Sequence, residues 1–186
     1  MRQAWAEKPE AGFQSAWVSV GASEAELIIY TELVDDWICN PASTLNELSF
    51  LKGDTFEIFL KNARRDDYWE LHVTPEEVLT QLHFPRHVKE LAAERGVGTQ
   101  CLDLAPYFVW GKAFQAKSFR TAEGWGILAM VPLGNLDVPE SGRVLEANFA
   151  RYDYSQLCPE PLLSATGDFS KPVSFHEQGG WHKLFL

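Results

Sequence analysis

Glu57 and His72 are the first two side chains in this sequence whose types and spacing could do chemistry together. They fall in two alternating runs, GDTFEIFL and DDYWELHVTP, joined by a charged loop. Successive side chains of a strand point to opposite faces, so Glu57 shares a face with Tyr68, Glu70 and His72 of the second run. A carboxylate beside an imidazole can hydrogen-bond the hydroxyls of a sugar, or the two can be solvated polar residues on an exposed face. Glu57 with Glu70 also mimics the carboxylate pair of a retaining glycosidase, which needs a separation of about 5–5.5 Å. Such pairs arise by chance on any polar sheet face. His83 and His87 have helical spacing, but Pro85 between them interrupts a helix and argues against a metal pair. The pairs Asp35–Asp36 and Asp66–Asp67 offer oxygen ligands of the kind calcium takes, and read more simply as solvated loop residues. The sequence has no G-x-S-x-G, H-E-x-x-H, P-loop or Gly-rich dinucleotide fingerprint. The expectation is a protein that is not an enzyme and needs no cofactor, calcium being the one ion the acid pairs would suit.

The elements that must position these residues are mostly strands. Phe56, Ile58 and Leu60 line one face of the first run, and Trp69, Leu71 and Val73 line one face of the second, which predicts an antiparallel hairpin with a buried side and a wet side. Ala16 to Val20 is a short strand candidate with a polar exit at Gly21 to Glu24, and Leu27 to Val34 reads as a central strand. The loop from Asn40 to Lys52 would cross the rim. After Pro75, EEVLTQLHFP is either one helical turn or a strand. Val88 to Arg95 is the best helix, closed by Gly96. Short aromatic runs between Cys101 and Phe119 look like strands separated by Gly111. Pro139, Ser141 and Gly142 make a turn, and Pro159 and Pro161 mark a loop before the final strand. The fold class expected is all-β: a two-sheet antiparallel β-sandwich, jelly-roll or immunoglobulin-like, with one short helix in a single domain over residues 1–186.

Bulk properties agree. The 186 residues are 46% hydrophobic and 13% aromatic, enough for one sizeable core. A net charge of −10 disfavours nucleic acid and anionic membranes as partners, since both are gripped by clustered Lys and Arg. No apolar run approaches the roughly 20 residues of a membrane-spanning helix. The N-terminal MRQAWAEKPEAG lacks a signal-peptide core, so a cytoplasmic location is expected for the chain as given, and an extracellular one if a leader was removed. Cys39, Cys101 and Cys158 are far apart and odd in number, which reads as buried structural thiols.

The same stretches carry a resemblance. GDTFEIFL with DDYWELHVTP resembles the D-x-x-E-[IV]-F and [YW]-E-[FL]-x-V-[NT]-P signature of the family 9 carbohydrate-binding modules, β-sandwiches of a broader DOMON-like group. TAEGWGILAMVPLGNL is similar to a strand and turn of that family, with Leu128 where an acidic residue is usual. EANFARYD is similar to its N-F-x-R strand, and SFHEQGGWHKLFL to its closing strand. The resemblance implies non-catalytic binding of a mono- or oligosaccharide near Glu57, His72, Asn148, Phe175 and His176. In xylanase-attached members the sugar lies between two Trp side chains, whose places here hold Leu51 and Phe175, so Trp37, Phe50 or Trp181 would have to supply a second ring. Asn148 and Arg151 fall on opposite faces, Asn148 toward ligand and Arg151 paired with an acid such as Asp54. His182 stands at a usual glycine place. Two rivals remain open: a haem-binding or redox DOMON-like domain, with Met130 and either His72 or His176 as axial ligands, and a sandwich without ligand that binds another protein.

Overall fold

A computed structural model describes residues 1–138, 143–156 and 158–186, with backbone alone at 158 and 159. Two antiparallel sheets form. The first holds β1 (Trp17–Ala22), β2 (Glu26–Val34), β7 (Gly124–Pro132) and β6 (Gln115–Arg120), in that order. The second runs β10 (His182–Phe185), β8 (Val144–Ser155), β3 (Thr55–Asn62), β4 (Tyr68–Val73) and β5 (Leu79–Phe84), and β9 (Cys158–Ala165) also pairs with β8.

The core between the sheets follows the alternation of the sequence. Leu27, Ile29 and Leu33 of β2 and Trp125, Ile127 and Val131 of β7 meet Phe56, Ile58 and Leu60 of β3 and Leu71 and Val73 of β4. Each such side chain contributes about 1.5–3 kcal/mol on full burial. The hairpin is antiparallel as expected, and its register sets Phe56 opposite Val73 and Glu57 opposite His72.

The wet side expected for that hairpin is instead dry. Glu57, Tyr68, Glu70 and His72 are all buried. A third layer covers them: α1 (Val88–Glu94), one-turn 3-10 helices at Thr99–Cys101 and Ala105–Tyr107, and the segment 166–181. Val88, Leu91, Leu102, Tyr107, Phe169, Phe175 and Trp181 pack there on Phe59, Tyr68, Leu82 and Phe84 of the second sheet. The helix ends at Gly96, whose φ of +67° is the left-handed conformation that glycine adopts without strain.

Of the two readings open for EEVLTQLHFP, the strand holds, as β5. Other local expectations are corrected. LAPYFVW is a 3-10 turn with an isolated bridge from Leu82 to Phe108, and only Gln115–Arg120 of the following run is a strand. The Pro159–Pro161 stretch is part of β9, beside the irregularity between Asp153 and Ser155 of β8. Among the described strands β9 pairs with β8, its far side being bridged by Arg2 at Ala165, and such an edge tolerates proline. Cys39 is half-buried and Cys101 exposed rather than both packed inside, and the side chain of Cys158 lies outside the described residues, as does the turn expected at Pro139, Ser141 and Gly142. Among the described residues no helix is long and apolar enough to cross a membrane.

Candidate functional site

A cavity of about 720 Å³ opens through the third layer onto the second sheet. Glu70 and His176 lie in its lining, with Phe50 and Leu51 on one rim, Leu104 and Phe108 on another, and Val173 and Ser174 on a third. A more open depression of about 920 Å³ beside the β1–β2 turn, lined by Ser23, Glu24, Arg143 and Leu186 among others, gathers no comparable set of groups.

The first rim is held by a dense set of hydrogen bonds. Asn40 Nδ2 donates to the carbonyls of Ser49 and Asp54, and the Asp54 carboxylate accepts from the backbone N–H groups of Cys39 and Tyr154. Tyr154 donates its hydroxyl to the Phe50 carbonyl at 2.9 Å. Gly53 is required here, because a Cβ would lie 2.1 Å from the Cys39 carbonyl oxygen. On the second rim, Gln81 donates to the carbonyls of Val109 and Gly111, and Asn46 donates to that of Val109. The third rim is fixed by Trp181 Nε1, which donates to the Phe175 carbonyl at 2.8 Å.

Four titratable groups form the floor and the layer beneath it. His72 Nε2 donates to Glu70 Oε1 at 2.7 Å and lies 3.3 Å from Glu57 Oε1. His176 Nδ1 shares a hydrogen bond with the Tyr68 hydroxyl at 2.8 Å, and its Nε2 stands 3.6 Å from Glu70 Oε2. Burial pushes the Glu57 carboxyl upward, opposed by His72 and reinforced by the charge of Glu70. Burial acts on Glu70 in the same sense, but His176 and His72 outweigh it and hold this carboxyl below its ordinary value. For His72, burial favours the neutral ring, and Glu57 and Glu70 together overcome that and raise it. Burial lowers His176. His72 Nδ1 is buried and has no partner among the described residues.

The residues singled out in the sequence are thus only partly assembled. Glu57, His72 and His176 come together around Glu70. Phe175 is 5% exposed and packs against Trp5, Phe59, Tyr152 and Phe169, so it belongs to the covering layer and not to a stacking wall. Asn148 faces away from β8's core side, as alternation requires, but is fully buried. Its Oδ1 accepts from the Gly167 N–H at 3.0 Å. His176 sits in a turn before the final strand, which is confined to His182–Phe185. Of the three rings considered as a second wall, Phe50 lines the cavity, Trp181 is buried and Trp37 is elsewhere. Phe108, Gln100 and Asp103 were not singled out, although the aromatic run LAPYFVW held the signal for the first of them.

Several structural side chains also find their places. Arg151 is 1% exposed and ion-pairs with Asp35 at 3.1 Å and Asp153 at 3.0 Å, so its role is structural but Asp54 is not its direct partner. His182 Nε2 contacts the Thr166 carbonyl at 2.7 Å. Asp67 accepts from Arg65 and bonds His83. Met130 faces outward on the first sheet and His72 outward on the second, so the whole sandwich separates this pair of proposed haem ligands. The Glu57 and Glu70 carboxylates lie close together, but His72 stands between them instead of space for a glycosidic bond.

No family model and no curated protein sequence matches the chain. Solved structures do. A family 9 carbohydrate-binding module from Caldicellulosiruptor kristjanssonii in complex with cellotriose superposes with a TM-score of 0.51 at 15% identity over 81% of this chain, which spans 63% of that module's length. A module of the same family and organism in complex with glucose gives 0.59 at 11% identity, covering 94% of this chain and 78% of the other. A putative carbohydrate-binding protein from Bacteroides uniformis gives 0.63 at 14% identity, covering 92% and 79%. At these identities the likeness is one of fold: the chain folds as these carbohydrate-binding β-sandwiches do.

Proposed function

We propose that the chain binds a mono- or oligosaccharide, without turnover, in the cavity above Glu70 and His176. The observation that carries this is the make-up of that cavity, a buried carboxylate and a partly exposed imidazole below an apolar rim of Phe50, Leu51 and Phe108. A sugar presents hydroxyls around its edge and C–H groups on its faces. The polar floor suits the first and the rim suits the second. The fold neighbours bound to cellotriose and glucose add support from outside this chain. Compared with the site expected from the sequence, the ring contact passes from Phe175 to Phe50, and Glu57 and His72 act from beneath Glu70.

Titration calorimetry with xylo-, cello- and manno-oligosaccharides and their monosaccharides tests this. Saturable binding is expected, weakened at least tenfold by Phe50→Ala and by His176→Ala, in line with about 1–3 kcal/mol for a lost buried hydrogen bond or ring contact. No heat with any sugar, from folded protein, would leave a protein-interaction sandwich as the better account.

A further inference from the structure

Glu57, Glu70 and His72 are three metal-ligating side chains with one ligand atom each, all within 4.8 Å of one another, and all buried. Among the described residues neither buried carboxyl has a Lys or Arg in ion-pair contact; their only partners are His72 and His176. Among the described residues none donates a hydrogen bond to Glu57, which is 2% exposed and turns its Oε1 toward His72 Nε2, 3.3 Å away. That spacing is close to the roughly 3.3 Å expected between neighbouring ligands of a tetrahedral ion with bonds of about 2.0–2.1 Å.

His176 stands outside that group of three, next to Glu70. His176 is oriented through its Nδ1 by the Tyr68 hydroxyl, and its Nε2 is left facing Glu70 at 3.6 Å. Metal-binding histidines are commonly fixed through their outer nitrogen in this way. We propose that Glu57, Glu70 and His72 form a binding site for one divalent transition-metal ion of the zinc class, set into the floor of the cavity, with His176 turning in from beside Glu70 to complete the coordination. Two imidazoles and two carboxylates select for such an ion, whereas calcium takes six to eight oxygen ligands and would find two side chains of the right kind. The ion takes the place of the proton now shared by His72 and Glu70. It requires their 2.7 Å contact to open by about half an ångström, a side-chain adjustment within the cavity. The inference rests on these four residues and not on the sugar reading, since an ion on the floor leaves the rim of Phe50 and Phe108 open.

The test is calorimetric titration of chelator-dialysed protein with Zn²⁺ and, separately, Ca²⁺, together with the visible absorption of a Co²⁺ complex as a report on coordination. One equivalent of Zn²⁺ is expected to bind, Ca²⁺ is not, and Co²⁺ is expected to give the strong bands of a four-coordinate site. Glu70→Gln and His72→Gln each lower Zn²⁺ affinity at least tenfold. His176→Ala, at the half-exposed cavity wall, gives the same answer if either buried variant fails to fold. Zn²⁺ should also raise the thermal midpoint of the wild type and not of the variants. No Zn²⁺ binding, or binding that persists in every folded variant, overturns the metal site. Sugar titrations with chelator present separate the two ideas, because a sugar isotherm that survives while the Zn²⁺ isotherm is absent removes the ion alone.

Discussion

Single side chains in this protein are committed to structure more often than their polarity suggests. Asn148 is the clearest case, because its Oδ1 satisfies the buried Gly167 N–H and it lies outside the cavity lining. Asn148→Ala is therefore expected to cost about 1–3 kcal/mol in denaturant unfolding, the penalty for stranding a buried donor, while sugar affinity stays within a factor of two. A parallel loss of affinity would return Asn148 to the binding site. Arg151 is the second case. Removing its guanidinium leaves Asp35 and Asp153 without their buried counter-ion, and Arg151→Met should cost about 3–5 kcal/mol by the same measurement.

At the scale of elements, the loop from Asn40 to Asp54 and the strands it joins share an acidic cluster at one end of the sandwich. Burial pushes Asp54 up to about 7 and Asp153 to about 6, with Asp35 adding to both and Arg151 opposing; Asp36 also faces Asp153. Both carboxyls hold their protons more tightly folded than unfolded. The stability they contribute is present below pH 4 and is lost as the pH rises through 6 and 7. His176, lowered by burial, works in the other direction, but one histidine does not cancel two carboxyls. The thermal midpoint should rise on going from pH 8 to pH 5, and a flat or opposite profile would mean these carboxyls are ionised at little cost. Gly53→Ala should lower stability by about 1–3 kcal/mol and weaken sugar binding with it, because the added methyl meets the Cys39 carbonyl and displaces the rim. The elements themselves were largely legible. β2, β3, β4, β7 and β8 carry the apolar alternation of half-buried strands, and α1 carries its glycine stop. β9 was obscured by its prolines, which an edge strand can hold and a central strand cannot.

For the molecule as a whole, the sandwich was legible and the layer outside it was not. Alternation in β3 and β4 shows that Glu57, Glu70 and His72 share a face, but a polar face reads as wet whether or not other segments cover it. What covers it here comes from α1, whose packing partner its sequence does not reveal, and from residues 95–111 and 166–181, which have little periodicity of their own. This is also why Phe175 was expected at a ligand and found in a core. The covering layer has a kinetic consequence. Tyr68 and His176 meet across 108 residues of chain, and Trp5 reaches Phe175 from the other terminus. Closing such long loops is entropically slow, and the covering segment 166–181 lacks the continuous backbone ladder that holds β3 to β8. The cavity is then the last part of the protein to be completed and the first to open, so amides of residues 166–181 should exchange with solvent well before those of β3 and β8. A ligand that fits the cavity will slow that exchange, and occupancy becomes readable from the clock of local opening even for a sugar too weak to register by heat.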